Sequence, residues 1–186
     1  RMNVYNEHPF KVIMDYAHNA HATGVMADLA QRLDVGGRRI VVVAGPGDRR
    51  DEDLREIAAT LAGKFDHYVV RRDDSLRGRD GDEVPRIISK ALETAGVDLA
   101  AITVIPDEQE AVDAALRMGQ PGDLLVVFAD ALVRTWKQII RFKPEGEMQT
   151  STPRAEVPTL ETTLDEQLVA AMEGVVRDER GLRFER

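Results

Sequence analysis

The sequence predicts an α/β fold, a Rossmann-like and mostly parallel sheet with helices on both faces, followed by an extended C-terminal tail. Five short, continuous apolar runs alternate with stretches of helical periodicity in residues 1–143 of the 186-residue chain. Strands that are apolar along their whole length are typical of parallel sheets covered on both faces. Polar residues follow several of these runs, as expected where open α/β sheets bind ligands.

The elements follow in chain order from the spacing of the apolar residues. A short β-like lead-in covers residues 2–6 and is interrupted at His8-Pro9. The apolar runs predict strands at residues 10–15, 40–44, 66–70, 102–105 and 124–128. The helical patterns lie at residues 21–33, 52–62, 83–95, 107–118 and 131–142.

Capping and breaking residues support several of these boundaries. Asp51 is predicted to be the N-cap of the second helix, since acidic residues follow it in the first turn. Gly36-Gly37 and Gly63 are expected to end the first two helices, and Pro85 is acceptable in the first turn of the third.

The composition changes after residue 143. Residues 144–163 are rich in Pro, Ser, Thr and Glu with little periodicity, which indicates a linker or extended arm. Residues 164–176 have the pattern of a short amphipathic helix. We therefore divide the chain into an α/β domain at residues 1–143 and a linker and tail at residues 144–186.

The bulk composition excludes several classes of protein. A net charge of −8 gives no overall attraction to nucleic acid, and no apolar run approaches the ~20 residues needed to span a bilayer. The chain has no cysteine, so it has neither disulfides nor a thiolate zinc site, which agrees with a cytoplasmic protein.

The loops that follow the strands carry the candidate chemistry. If the strands are parallel, these exits share one edge, and arginines gather there on an otherwise acidic protein. The arginines are Arg49, Arg50, Arg71, Arg72, Arg77, Arg79 and Arg134. Guanidinium groups bind phosphate and carboxylate in bidentate fashion, although pairing with nearby aspartates is an equally open interpretation. Those aspartates are Asp48, Asp51, Asp73 and Asp74.

The sequence disfavours three other kinds of site. Gly45-Pro46-Gly47 opens like a dinucleotide fingerprint, but Arg50 stands where the third glycine belongs, which disfavours a NAD-dependent oxidoreductase. No G-x-x-x-x-G-K-[ST] phosphate loop occurs in the sequence, so the chain is not expected to hold a triphosphate and its Mg²⁺ unaided. His18 and His21 lack a third ligand for a metal.

Several motifs resemble the C-terminal domain of Mur-type ligases. Residues 15–19 resemble the D-Y-x-H-N-P motif of that domain, and residues 47–53 resemble the G-D-R-R-D-E-D segment of its cyanophycin synthetase branch. Residues 1–5 resemble the G-R-x-N-x-x entry of the family into this domain, and residues 71–79, 122–124 and 136–142 also resemble the cyanophycin synthetase branch. Ala20 departs from the motif, which usually has Pro there, and residues 144–186 have no family counterpart.

The resemblance implies the C-terminal lid of an ATP-dependent carboxylate–amine ligase. Such ligases form an acyl phosphate that an amine attacks, and their phosphate loop and Mg²⁺ ligands belong to a central domain, so this chain alone is expected to be inactive. The residues expected to face ATP are Asp15, Tyr16, His18, Asn19, Asp48 and Arg49. The residues expected to contact an amino-acid or peptide substrate are Arg50, Arg71, Arg72, Arg77 and Arg79.

The expected partners are ATP, the substrate and a central ATPase domain of the same or another chain, with a homo-oligomer left open. An alternative stays open, in which the chain is a stand-alone, non-catalytic module that binds a nucleotide or an acidic peptide through residues 71–79. The two hypotheses differ in whether joining the chain to an ATPase domain produces ligation.

Overall fold

The computed structural model describes residues 2–144, 175–178 and 181–184. In these ranges the strands are β1 (Asn3–Tyr5), β2 (Lys11–Asp15), β3 (Arg39–Val43), β4 (His67–Val70), β5 (Ile102–Val104), β6 (Leu124–Phe128), β7 (Val175–Asp178) and β8 (Gly181–Phe184). The α-helices are α1 (Ala20–Arg32), α2 (Asp51–Leu61), α3 (Glu83–Thr94), α4 (Glu108–Met118) and α5 (Leu132–Arg141). A single 3₁₀ turn at Leu99–Ala101 leads into β5.

Six strands form one sheet in the order β1-β2-β6-β3-β4-β5. The five strands from β2 to β6 pair in parallel, and β1 pairs with β2 in antiparallel fashion at one edge. The predicted mostly parallel sheet is therefore confirmed. Since parallel strands all point the same way, the exit loops of β2 to β6 lie at one edge, which we call the carboxyl edge.

The sheet is buried on both faces because alternate residues of each central strand point to opposite sides. Val41 and Val43 of β3 pack with α1, α2 and α3, whereas Ile40 and Val42 pack with α4 and α5. This arrangement explains why the central strands have no polar alternation in the sequence.

The predicted N-cap of α2 needs correction. Arg50, not Asp51, occupies the N-cap position of α2, and the Asp53 carboxylate accepts a hydrogen bond of 3.2 Å from the Arg50 amide. Asp51 is the first helical residue, and its carboxylate pairs with Arg79 at 2.8 Å. The sequence pattern favoured Asp51 because aspartate is a preferred N-cap residue, whereas arginine is not.

The tail also differs from its prediction where it is described. Val175 and Val176 belong to β7, which pairs with β8 as an antiparallel hairpin, and are not the end of a helix. The rest of the helix predicted at residues 164–176 lies outside the described residues. No helix in the described ranges is long and apolar enough to cross a membrane.

Candidate functional site

The β2 exit places the first group of candidate residues. Asp15 is the last residue of β2 and is buried, whereas Tyr16 is 43% exposed. The rings of Tyr16 and His18 lie with centroids 5.0 Å apart, and the His18 Nδ1 atom is 3.0 Å from the Tyr16 carbonyl oxygen. With Nδ1 as the donor, this contact turns the His18 ring beside that of Tyr16, and Nε2 remains available to a ligand.

Asn19 is the N-cap of α1. Its side-chain oxygen accepts a hydrogen bond of 2.9 Å from the Ala22 amide, which satisfies one of the unpaired donors of the first turn. The first turn of α1 contains no acidic residue, so the positive end of this helix dipole keeps its attraction for an anion. In α2 the same position is already neutralised by three acidic residues, Asp51, Glu52 and Asp53.

A cleft of about 500 Å³ lies between the N-terminal ends of α1 and α2. It is lined by His18, Asn19, Ala20, His21, Arg49, Arg50, Asp53, Glu56 and Ile57. Arg50 pairs with Asp53 at 2.8 Å, whereas the Arg49 guanidinium has no ion-pair partner among the described residues. Arg49 is therefore the cation in this cleft that is best able to meet a phosphate.

The β3 and β4 exits are joined to each other. Arg77 donates to the Asp48 carboxylate at 2.6 Å, and this hydrogen bond lowers the pKa of Asp48. The backbone at Gly47 passes so close to Leu76 that a Cβ on Gly47 would overlap the Leu76 carbonyl oxygen. Asp48 and Arg77 thus form one exposed charged pair beside the cleft.

Arg79 holds these two loops together. Its guanidinium donates to the carbonyl oxygens of Gly47 at 2.9 Å and Arg49 at 2.6 Å, and it pairs with Asp51 and Glu83. The side chain is only 17% exposed. Its donors are committed to the protein, which disfavours the predicted role of Arg79 as a substrate contact.

Arg71 has an interior position that the prediction of a substrate contact did not anticipate. Its side chain is 1% exposed and pairs with Glu108 at 2.9 Å and with Asp130 at 2.8 Å. It also donates to the carbonyl oxygens of Arg72 and Phe128. The structure therefore corrects this assignment, because a guanidinium enclosed by internal partners cannot reach a substrate at the surface.

The Arg72 guanidinium has no ion-pair partner in the described part of the chain. Arg72 lines a small cavity of about 10 Å³. This volume is smaller than an amino acid and suits at most one water molecule. Arg134, the remaining arginine of this edge, pairs with Asp74 at 2.7 Å. The open interpretation that several of these arginines pair with nearby aspartates is thus correct for Arg77, Arg79 and Arg134.

Sequence reasoning missed Glu108. The carboxylate is fully buried and accepts hydrogen bonds from the Asp130 amide at 2.8 Å and the Thr135 hydroxyl at 2.6 Å. Burial alone would raise the pKa of Glu108, but Arg71 and these donors outweigh it and lower the pKa. A glutamate in the first turn of a helix looks like an ordinary helix start, so the sequence contains no signal of its burial.

No group of three or more His, Asp or Glu side chains in the described ranges is arranged to hold a metal ion. Of the carboxylates that line the cleft, Asp53 already accepts from Arg50, and Asp48 beside the cleft accepts from Arg77. The described residues therefore do not fit a Mg²⁺ site of their own.

Comparison with known proteins identifies relatives of this chain. A family model of the Mur ligase, glutamate ligase domain matches residues 1–131. Cyanophycin synthetase from Synechocystis sp. is 38% identical over 148 residues, which are 78% of this chain and 16% of that protein. Cyanophycin synthetase from Geminocystis herdmanii is 34% identical over 147 residues, 79% of this chain and 16% of that protein. The chain thus spans about one sixth of the length of these relatives.

Solved structures confirm the Rossmann-like fold. A UDP-N-acetylmuramoyl-L-alanyl-D-glutamate–2,6-diaminopimelate ligase matches with a TM-score of 0.60 at 20% identity, over 75% of this chain and 31% of the other. A folylpolyglutamate synthase from Mycobacterium tuberculosis, complexed with ADP and AMPPCP, matches with a TM-score of 0.54 at 22% identity, over 78% of this chain and 33% of the other.

Proposed function

Because the chain belongs to the Mur ligase family, as its C-terminal glutamate ligase domain, we propose that it is the lid of an ATP-dependent acid–amino acid ligase resembling cyanophycin synthetase. In this proposal the chain supplies one wall of the active site and closes over a central ATPase domain. The reaction forms an acyl phosphate from a carboxylate and ATP, and an amine then displaces phosphate to form an amide. Such an enzyme would draw on the ATP of the cytoplasm.

The cleft between α1 and α2 carries the proposal. It combines an uncompensated helix N-terminus with the Arg49 guanidinium, and both attract phosphate oxygens. Asp15, at the end of β2, has a carboxylate of the kind that accepts from a ribose hydroxyl. The paired rings of Tyr16 and His18 offer flat faces to a nucleotide base.

The substrate side of the proposed site lies at the β3 and β4 exits. Arg77 is exposed and held beside Asp48, so a substrate carboxylate can approach the guanidinium while Asp48 keeps it in place. Arg50 lies at the rim of the cleft, paired with Asp53, and we propose it as a second contact for the incoming amino acid. Arg72 stays a proposed contact of the same kind, since it has no ion-pair partner in the described ranges.

The chain is proposed to need a partner domain for catalysis. The glycine loop at residues 45–47 lacks the lysine and the run of amides with which a phosphate loop surrounds a triphosphate. Mg²⁺ bound to ATP would be held mainly by the central domain, because Asp48 and Asp53 are already paired. The central domain belongs to the same or another chain, and a homo-oligomer remains a prediction.

The test is made in the ligase that this chain forms with its proposed central domain, whether on the same or another chain, which we call the full-length ligase. We expect Arg49→Ala to lower kcat/KM for ATP about 10- to 100-fold, the cost of losing one hydrogen bond to a charged group. Arg117→Ala is the matched control, because Arg117 is exposed on α4, on the opposite face of the sheet, and pairs with Asp113. If Arg49→Ala and the control have the same kcat/KM for ATP, the assignment of the cleft as the ATP site is contradicted.

A further inference from the structure

The loop that carries Arg77 is anchored at both ends. At its far end Arg79 binds the carbonyl oxygens of Gly47 and Arg49, as described above. At its near end Arg71 is buried against Glu108 and Asp130. Between these anchors Arg77 has a φ of +47°, a left-handed conformation that a residue other than glycine keeps only when its surroundings enforce it.

The near anchor joins parts of the chain that are distant in sequence. Arg71 follows β4 and reaches past β3, the strand between β4 and β6, to bind the Phe128 carbonyl oxygen at 2.7 Å. Glu108, in the first turn of α4, receives donors from Asp130 and Thr135 at the start of α5. The cluster of Arg71, Glu108 and Asp130 thus sets the spacing between the β4 and β6 exits.

The cluster also continues into the loop itself. The Asp130 carboxylate accepts from the Asp74 amide at 3.4 Å, and Arg134 bridges Asp74 at 2.7 Å and Glu108 at 3.3 Å. A buried ion pair often stabilises a protein no more than apolar residues of the same size would, so its energy alone gives little reason for the cluster. The geometry of the cluster does give a reason, because its contacts hold one end of the loop that presents Arg77.

We propose that Glu108 is a positioning residue that holds the loop of residues 71–79 through Arg71 and Asp130, and thereby sets the affinity of the ligase for the carboxylate-bearing amino acid that Arg77 faces. The affinity half of this inference rests on the proposed function. The anchoring half concerns this chain alone and can be tested without any ligase activity.

The first experiment measures trypsin cleavage after Arg77 in the 186-residue chain. We expect Glu108→Gln to accelerate this cleavage about tenfold, because the loop then opens locally more often. Asp123→Asn is the matched control: Asp123 is a buried carboxylate in an ion pair with Arg38, but it lies at the opposite edge of the sheet. Unchanged cleavage in folded Glu108→Gln, or equal acceleration in both variants, would overturn the anchoring.

If Glu108→Gln does not fold, Asp130→Asn gives the same test, since Asp130 is partly exposed and its loss leaves the Arg71–Glu108 pair intact.

The second experiment measures kinetics in the full-length ligase. We expect Glu108→Gln, or Asp130→Asn in its place, to raise KM for the amino acid about tenfold while kcat and KM for ATP stay unchanged, and Asp123→Asn to leave all three unchanged. A loosened loop with an unchanged KM would overturn the affinity half. Absence of ligation in the wild type would refute the proposed function, while the cleavage rates would still decide the anchoring.

Discussion

At the scale of single residues, the arginines of the carboxyl edge differ in what they can offer a ligand. Arg50 and Arg77 are exposed but paired with aspartates, and Arg71 is enclosed. Arg49 has no ion-pair partner in the described ranges, so a phosphate could meet it without displacing an internal carboxylate. An identical residue type therefore has three different roles within one edge of the sheet.

Gly47 is required where the β3 and β4 exits meet. We expect Gly47→Ala to destabilise the fold by about 1–3 kcal/mol, because the new methyl group would overlap the Leu76 backbone, which cannot move aside easily. Gly36→Ala is the control, since nothing lies within 4 Å of its Cβ position and it should change stability by less than about 0.5 kcal/mol. Urea unfolding of both variants measures the difference, and equal stabilities would contradict the close approach.

Glu108 should make stability depend on pH. Its folded-state pKa is below the ordinary value of 4.5, so the carboxylate stabilises the fold above that pH, and this contribution is lost as pH falls through the folded-state pKa. We expect Glu108→Gln to lower the free energy of unfolding by about 3 kcal/mol at neutral pH. Below pH 4.5 the difference in unfolding free energy between the variant and the wild type should become smaller. Glu110→Gln, an exposed change on the same helix, should cost almost nothing at either pH. A difference in unfolding free energy that stays constant down to the pH of acid unfolding would contradict the lowered pKa of Glu108.

At the scale of elements, the sequence predicted what local chemistry determines. Continuous apolar runs such as residues 40–43 identify strands buried on both faces, whereas the N-cap roles of Asn19 and Asp107 became evident only in the structure. The pairing of the charged side chains was not predictable, because Arg71 contacts Glu108 only after β4, β6 and α4 have assembled. The residues placed at the carboxyl edge were thus foreseeable as a group, but their exposure was not.

Asn19 links the stability of α1 to the cleft. We expect Asn19→Ala to lower stability by about 1 kcal/mol through loss of the N-cap, and Asn19→Asp to preserve stability, because both Asn and Asp are good caps. In the full-length ligase both variants should raise KM for ATP, since Ala removes the side-chain donor and Asp replaces it with a charge that repels phosphate. Denaturation curves and ATP kinetics separate the two effects. A fully active Asn19→Asp enzyme would show that Asn19 acts only as a cap.

At the scale of the whole molecule, the sheet order brings the chemically rich exits to one edge without completing a site. The β2 and β3 exits bound the cleft, and the β4 exit lies beside it, but the phosphate-binding loop of an ATPase is missing from the sequence. The chain also spans about one sixth of the cyanophycin synthetases that it resembles. Both facts agree with the proposal that a second domain completes the active site.

The isolated chain should therefore bind ATP weakly and hydrolyse none of it. With only one wall of the site present, we expect a Kd near 1 mM or weaker, about −4 kcal/mol of binding free energy. Calorimetry and a phosphate-release assay measure both quantities, and the full-length ligase under the same conditions is the positive control. Tight binding of an acidic peptide by the isolated chain, with no change when ATP is added, would instead favour a stand-alone binding module. Micromolar ATP binding that Arg49→Ala abolishes would retain the cleft as the nucleotide site, but would show that this wall alone is sufficient to hold the nucleotide.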